Sequence, residues 1–164
     1  MGEESKQPGG VGGFGGGARL VALGFQNSSE QTFAPQVEAS YCAAPADLKN
    51  IYCGEASFEY AGRRSPIFIG MNNRAKILRF GGVNLYLNGV IKGGPVFVKN
   101  LGFRTGGRAE AGFGFLTPVG GRNIFWDFNM GPHLYYDNQK GGDFWNKAKF
   151  SPAVVLGASF FLEN

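Results

Sequence analysis

Hydrophobic and polar residues alternate most regularly between Arg108 and Tyr136. In a strand, successive side chains point to opposite faces, so a period of two separates the faces. In the first arm Ala109, Ala111, Phe113 and Phe115 fall on one face, and Arg108, Glu110, Gly112 and Gly114 on the other. Thr117-Pro118-Val119-Gly120-Gly121 is a turn signal. In the second arm Ile124, Trp126, Phe128, Met130, Leu134 and Tyr136 share a face. Asn123, Asp127, Asn129, Gly131 and His133 share the other, interrupted by Phe125 and Tyr135. The outward face of a soluble sandwich normally carries Lys, Glu and Thr rather than glycine. Bulky apolar residues against small or polar ones suit a barrel in lipid with a narrow inside.

The same rhythm extends outward from this hairpin. Residues 1–16 are charged and then glycine-rich, and are expected to be a flexible segment ahead of a single barrel domain at 17–164. A strand over 17–26 places Val21, Leu23 and Phe25 on the apolar face, with Arg19 at the end of that face, at the interface. Phe33, Val37, Ala39 and Tyr41 oppose Gln36, Glu38 and Ser40, and Ala56, Phe58 and Tyr60 oppose Glu55, Ser57 and Glu59. The middle is less regular. Arg63-Arg64-Ser65-Pro66 breaks the pattern, residues 67–71 read as a strand or a core plug, and Asn72-Asn73-Arg74 is a turn signal. Val83, Leu85, Leu87 and Ile91 restore the alternation until Lys92-Gly93-Gly94-Pro95 ends it. Residues 137–149 read as a solvent loop, and 150–162 as a last strand with Phe150, Val154, Leu156, Ala158, Phe160 and Leu162 on one face. No stretch keeps helical apolar spacing over two turns. The expected fold is all-β, an antiparallel up-and-down barrel of about eight strands that crosses a membrane. Its outer belt should include Phe113, Phe115, Trp126, Phe128, Leu156 and Phe160.

Composition supports this reading. Among 164 residues there are 28 glycines and 16 phenylalanines, and only 17 % are charged, against about 25 % in soluble domains. No run approaches the roughly 18 apolar residues of a membrane helix. The mean hydropathy of -0.13 does not oppose insertion, because alternating strands hide their apolar face from averaging. The net charge of +4 is modest. It suits contact with anionic lipid or polysaccharide, and an ordinary solvated surface equally well.

Charged residues on the polar faces define the candidate chemistry. Glu38, Glu55, Glu59, Arg108, Glu110 and Asp127 are expected to point inward and form a buried charge network. Buried charges must be paired, so the set reads as a lock between strands rather than an acid–base pair or an ion path. Cys42 and Cys53, the only two cysteines, bracket a short loop and read as a disulfide across it in an oxidising compartment. With one histidine far from that pair, no metal site is expected. His133 shares a face with Asp127, but six residues along a strand is about 20 Å, so no catalytic residue is assigned and no cofactor is expected. The glycine-rich run near residue 11 lacks the lysine and hydroxyl of a phosphate loop. Aromatic–arginine pairs such as Phe103-Arg104 come without a nucleic-acid motif, and no nucleic acid is expected. Phe144 and Trp145, large apolar residues in a polar loop, are the recognition candidates, with membrane anchoring the alternative.

The segment AGFGFLTPVGGRNIFWDFNMGPHLYY and the closing SPAVVLGASFFLEN resemble bacterial outer-membrane β-barrel proteins of the small opacity and adhesin-like class. Such barrels end on an aromatic residue, whereas here Phe160-Phe161 is followed by Leu162-Glu163-Asn164. The first ten residues are polar and carry no apolar signal stretch, so an exported form is expected to have lost its signal. The resemblance implies a bacterial outer-membrane protein in contact with membrane lipid or lipopolysaccharide, with a protein partner or self-association as further contacts. A filled interior of about eight strands implies a non-enzymatic structural or surface-recognition barrel that acts through its loops. The alternatives are a self-assembling all-β subunit of a capsid, filament or surface layer, which would place it in an extracellular assembly, and a lipid-modifying membrane barrel enzyme. A soluble ligand-binding barrel is the least favoured reading.

Overall fold

The computed structural model describes residues 11–23, 33–45, 49–62, 64–119, 122–138 and 140–161. These form β1 (Val11–Leu23), β2 (Phe33–Ala44), β3 (Asn50–Glu59), β4 (Arg64–Phe80), β5 (Val83–Val98), β6 (Gly102–Val119), β7 (Arg122–Tyr136), α1 (Phe144–Lys147) and β8 (Ala148–Phe161). Each strand pairs antiparallel with the next, and β8 returns to β1 to close the barrel. The chain is therefore all-β, an eight-stranded up-and-down barrel. Closure leaves no strand edge unpaired, and eight strands enclose a space just wide enough for side chains.

The faces are sorted as the alternation in β6 and β7 requires. Phe113, Phe115, Trp126, Leu156 and Phe160 are exposed on the outer wall, and Phe128 lies beside them half-buried. Phe113 stacks on Phe128 with centroids 5.4 Å apart, and Phe115 on Trp126 at 6.4 Å. Cross-strand aromatic pairs of this kind stabilise a sheet face. At mid-height of β4 the outward run Ile67, Ile69, Met71 is followed by a single amide, Asn73. Its lateral neighbours in register are Tyr52 and Gly89.

Several strands run longer than local sequence signals allow. β1 starts at Val11, so residues 11–16 of the expected flexible segment are paired with β2; residues 1–10 lie outside the described residues. The face of β1 that holds Val21 points inward, not to lipid, and Arg19 sits buried on it as a central residue rather than at an interface. Asn72-Asn73-Arg74 is not a turn but the middle of β4, with ladders to β3 on one side and β5 on the other. Paired ladders on both sides override the turn preference of asparagine. Likewise β5 continues through Lys92-Gly93-Gly94-Pro95 to Val98, matched throughout by β6. The β4–β5 connection is only Gly81-Gly82, both at positive φ (55° and 90°). A two-residue hairpin turn of this type demands that backbone, and glycine adopts it without strain. The expected solvent loop at 137–149 is shorter, because α1 forms one helical turn and β8 begins at Ala148.

Connections β1–β2, β3–β4, β5–β6 and β7–β8 lie on one side of the barrel, here the loop side. The opposite side holds the other three connections, the start of β1 and the end of β8.

Candidate functional site: the barrel interior and the loop-side mouth

The inner wall is built from one parity of each strand. Gln36 and Glu38 come from β2, Glu55, Ser57 and Glu59 from β3, Asn72 and Arg74 from β4, and Asn88 and Lys92 from β5. Arg108 and Glu110 come from β6, Asp127, Asn129 and His133 from β7, and Ser159 from β8. All are buried, and with Arg19 of β1 they fill the middle of the barrel.

Two clusters can be traced. In the larger, Arg19 Nε lies 2.8 Å from Glu38 Oε2, and its Nη2 is 3.5 Å from Glu55 Oε1 and 3.6 Å from Asp127 Oδ2. Lys92 pairs with Glu55 and, at 3.4 Å, with Glu38. Arg74 Nη2 lies 2.8 Å from Asp127 Oδ2 and donates to Ser159 Oγ at 3.1 Å. Asn88 Nδ2 donates to Asp127 Oδ1 at 2.7 Å, and Asn72 Nδ2 to Glu55 Oε1 at 2.8 Å. In the smaller cluster, Arg108 bridges Glu59 (3.3 Å) and Glu110 (3.1 Å), and His133 Nε2 lies 3.1 Å from Glu110 Oε1. Together these ties reach all eight strands: β1, β2, β3, β4, β5, β7 and β8 in the larger cluster, with β3, β6 and β7 in the smaller.

Glycine on the inner wall makes room for these groups. A Cβ at Gly157 would stand 2.7 Å from Arg19 Cγ, and one at Gly114 would stand 2.6 Å from Asp127 Oδ1. Both are closer than real Cβ contacts, so the glycines and the long charged side chains fit together.

Apolar groups close both ends of the network. Away from the loops, Ile51, Tyr86, Leu116 and Phe125 pack with Cys42 and Cys53, and Arg74 lies over the Phe125 ring at 4.5 Å. On the loop side Val21, Ala34 and Val155 form one cluster, and Phe68, Val96 and Tyr135 another. Phe125 and Tyr135, the two interruptions in β7, thus belong to opposite plugs. A charged layer between two apolar layers has little access to water, which raises the cost of losing a partner.

The six carboxylate and arginine residues proposed from sequence, Glu38, Glu55, Glu59, Arg108, Glu110 and Asp127, all lie in this interior. Arg19, Arg74 and Lys92 were missed as partners. Lys92 keeps the inward parity of Asn88, a usable signal masked by the glycines and proline that follow it. Cys42 and Cys53 form a disulfide, Cα–Cα 4.0 Å, but not across a surface loop. They are directly opposed on β2 and β3, buried and inward-facing, since they share parity with Glu38 and Glu55. Phe144 opens α1, is half exposed, and stacks on Tyr136 with centroids 5.7 Å apart. Trp145 is in α1, and its side chain lies outside the described residues.

Of 16 lysines and arginines, four meet five of the 12 acidic residues inside the network. The network itself therefore holds no excess positive charge, and among the described residues further cations gather at the loop-side mouth. There Arg104 Nε lies 2.7 Å from Asp137 Oδ1, and its Nη1 donates to the carbonyls of Leu101 and Phe103 at 2.9 and 3.0 Å. Arg64 lies over the Tyr135 ring at 4.8 Å.

No protein-family model matches the chain, and no curated protein does. Among solved structures it is similar to the crystal structure of Neisserial surface protein A (NspA), with 14 % identity and a TM-score of 0.56 over 94 % of this chain and 97 % of that one. At that identity the likeness is one of fold.

Proposed function

We propose that this chain is a non-enzymatic barrel of the bacterial outer membrane that acts as a structural or surface-recognition protein through its loop side. The observation that carries the reading is the inversion of the two faces. Large apolar side chains such as Ile69, Ile91, Leu87 and Phe113 stand exposed on the outer wall, while five carboxylates are buried in the lumen. A water-soluble barrel would have the reverse arrangement; lipid is the solvent that makes this one favourable. The solved structure it is similar to is named as a surface protein, in keeping with this reading. Among the described residues, charged and apolar side chains fill the lumen, so recognition is assigned to the rim, where Phe144 stacks on Tyr136 and Trp145 follows it in α1.

The test is extraction and insertion. The full chain should require detergent, insert into lipid vesicles, and migrate differently on gels before and after boiling. In planar bilayers it should show no steady conductance. Assembly into regular particles in plain buffer would instead establish the self-assembling subunit. Hydrolysis or acyl transfer on lipid substrates would establish the membrane enzyme.

A further inference from the structure

The loop-side mouth holds a cavity of about 140 Å³ into which five cations converge, Arg64, Arg104, Lys140, Lys147 and Lys149, with Asp137 as the one carboxylate lining it. Its floor is the buried apolar pair Val96 and Tyr135. A concave basic surface over a low-dielectric floor concentrates potential where a ligand would sit. Asp137 is engaged by Arg104. Among the described residues, Lys147 and Lys149 have no carboxylate within ion-pair distance; Lys147 Nζ instead lies 5.9 Å from the Tyr136 ring centre.

From this arrangement we propose that the mouth binds a phosphate monoester carried on a sugar, entering from the aqueous side; the proposal rests on the loop-side recognition reading above. Three observations select that chemistry. Five cations against one carboxylate suit a multiply charged group, and a phosphate monoester carries roughly -1.5 to -2 near neutral pH. Val96, Arg104 and Tyr135 all face the lumen, so the cavity opens along the barrel axis, whereas lipid headgroups ring the outer wall. Tyr136 lines the cavity and is stacked by the half-exposed Phe144, an aromatic edge against which the apolar face of a sugar ring can lie. A volume of 140 Å³ exceeds the roughly 30 Å³ of one water several-fold, enough for the phosphate group with part of its sugar.

The experiment is calorimetric titration of the full chain, folded in a neutral detergent, with glucose 6-phosphate, glucose and inorganic phosphate, alongside vesicles containing phosphatidic acid. Glucose 6-phosphate should bind, more weakly as salt rises, inorganic phosphate should bind less tightly, and glucose should not bind. The double variant Lys147→Ser, Lys149→Ser should weaken glucose 6-phosphate binding by about tenfold. Lys76→Ser with Arg79→Ser, which removes the same charge at the opposite end of the barrel, should leave it unchanged. Equal losses in the two variants would overturn the site in favour of net charge alone. Equal affinity for inorganic phosphate would remove the sugar from the proposal, and binding only to phosphatidic acid vesicles would make the site a lipid one. No binding by wild-type protein that still shows heat-modified migration would sink the site while leaving the barrel reading intact. Should the double variant lose that migration, Lys149→Gln alone and the wild-type comparison of glucose 6-phosphate with glucose decide the matter.

Discussion

Asp127 stands between two guanidinium groups in the lumen, and its removal is the sharpest test of the charge network. Its Oδ2 is 2.8 Å from Arg74 Nη2 and 3.6 Å from Arg19 Nη2, and its Oδ1 accepts from Asn88. Asp127→Asn keeps the shape between Gly114 and Gly157 but leaves two buried guanidinium groups short of a countercharge. Breaking a buried pair from one side costs about 3–5 kcal/mol. Arg74→Met should cost less, about 1–3 kcal/mol, because Asp127 retains Asn88 and Arg19. Combining the two removes one charge of each sign, so the double variant should be more stable than the summed single losses by at least about 2 kcal/mol. The assay is urea unfolding in lipid vesicles followed by tryptophan fluorescence, analysed as a double-mutant cycle. Additive losses, or a cost for Asp127→Asn below about 1 kcal/mol, would refute a network that locks the strands.

Three further outcomes follow from the same geometry. Leu156→Arg, mid-strand on the outer wall of β8, should cost about 2–4 kcal/mol in bilayers, measured by the same unfolding assay; no loss in bilayers would contradict a lipid-facing wall. Gly157→Val drives a side chain into Arg19 and should cost about 1–3 kcal/mol, whereas Gly54→Ala, with open space around it, should be neutral. A denaturing, non-reducing thiol assay should find no free cysteine, and Cys42→Ala with Cys53→Ala should lower stability by about 2–3 kcal/mol while heat-modified migration persists.

Alternation alone made the barrel legible wherever strands keep a strict period of two. β2, β3, β6 and β7 show both faces in their sequences, and the inward carboxylates Glu38, Glu55, Glu59, Glu110 and Asp127 follow from parity. Parity also places Cys42 with Glu38 and Cys53 with Glu55, so their inward position was there to be read; the loop between them drew the expectation to the surface instead. β1 was harder, because its polar face consists of glycine around one arginine. Phe14 and Leu20 mark the outer face, but Phe14 fell in the stretch expected to be a flexible lead-in, and Val21 was assigned to lipid although Arg19 shares its side.

What sequence determined by itself is the two-faced character of the strands and the absence of long apolar helices, since each depends only on which residues lie two or four positions apart. What tertiary structure decided is where strands continue and which charges meet. Asn72-Asn73-Arg74 and Lys92-Gly93-Gly94-Pro95 look like breaks locally, yet ladders from both neighbouring strands hold them extended. Arg19 reaches Glu38 and Glu55 from the β2 side, but meets Asp127 only because β8 closes on β1 and brings β7 alongside. The basic mouth likewise draws on β4, β6, β8 and the β7–β8 connection. Pairings of this kind are set by ring closure and stagger, and local propensity along the chain carries no record of them.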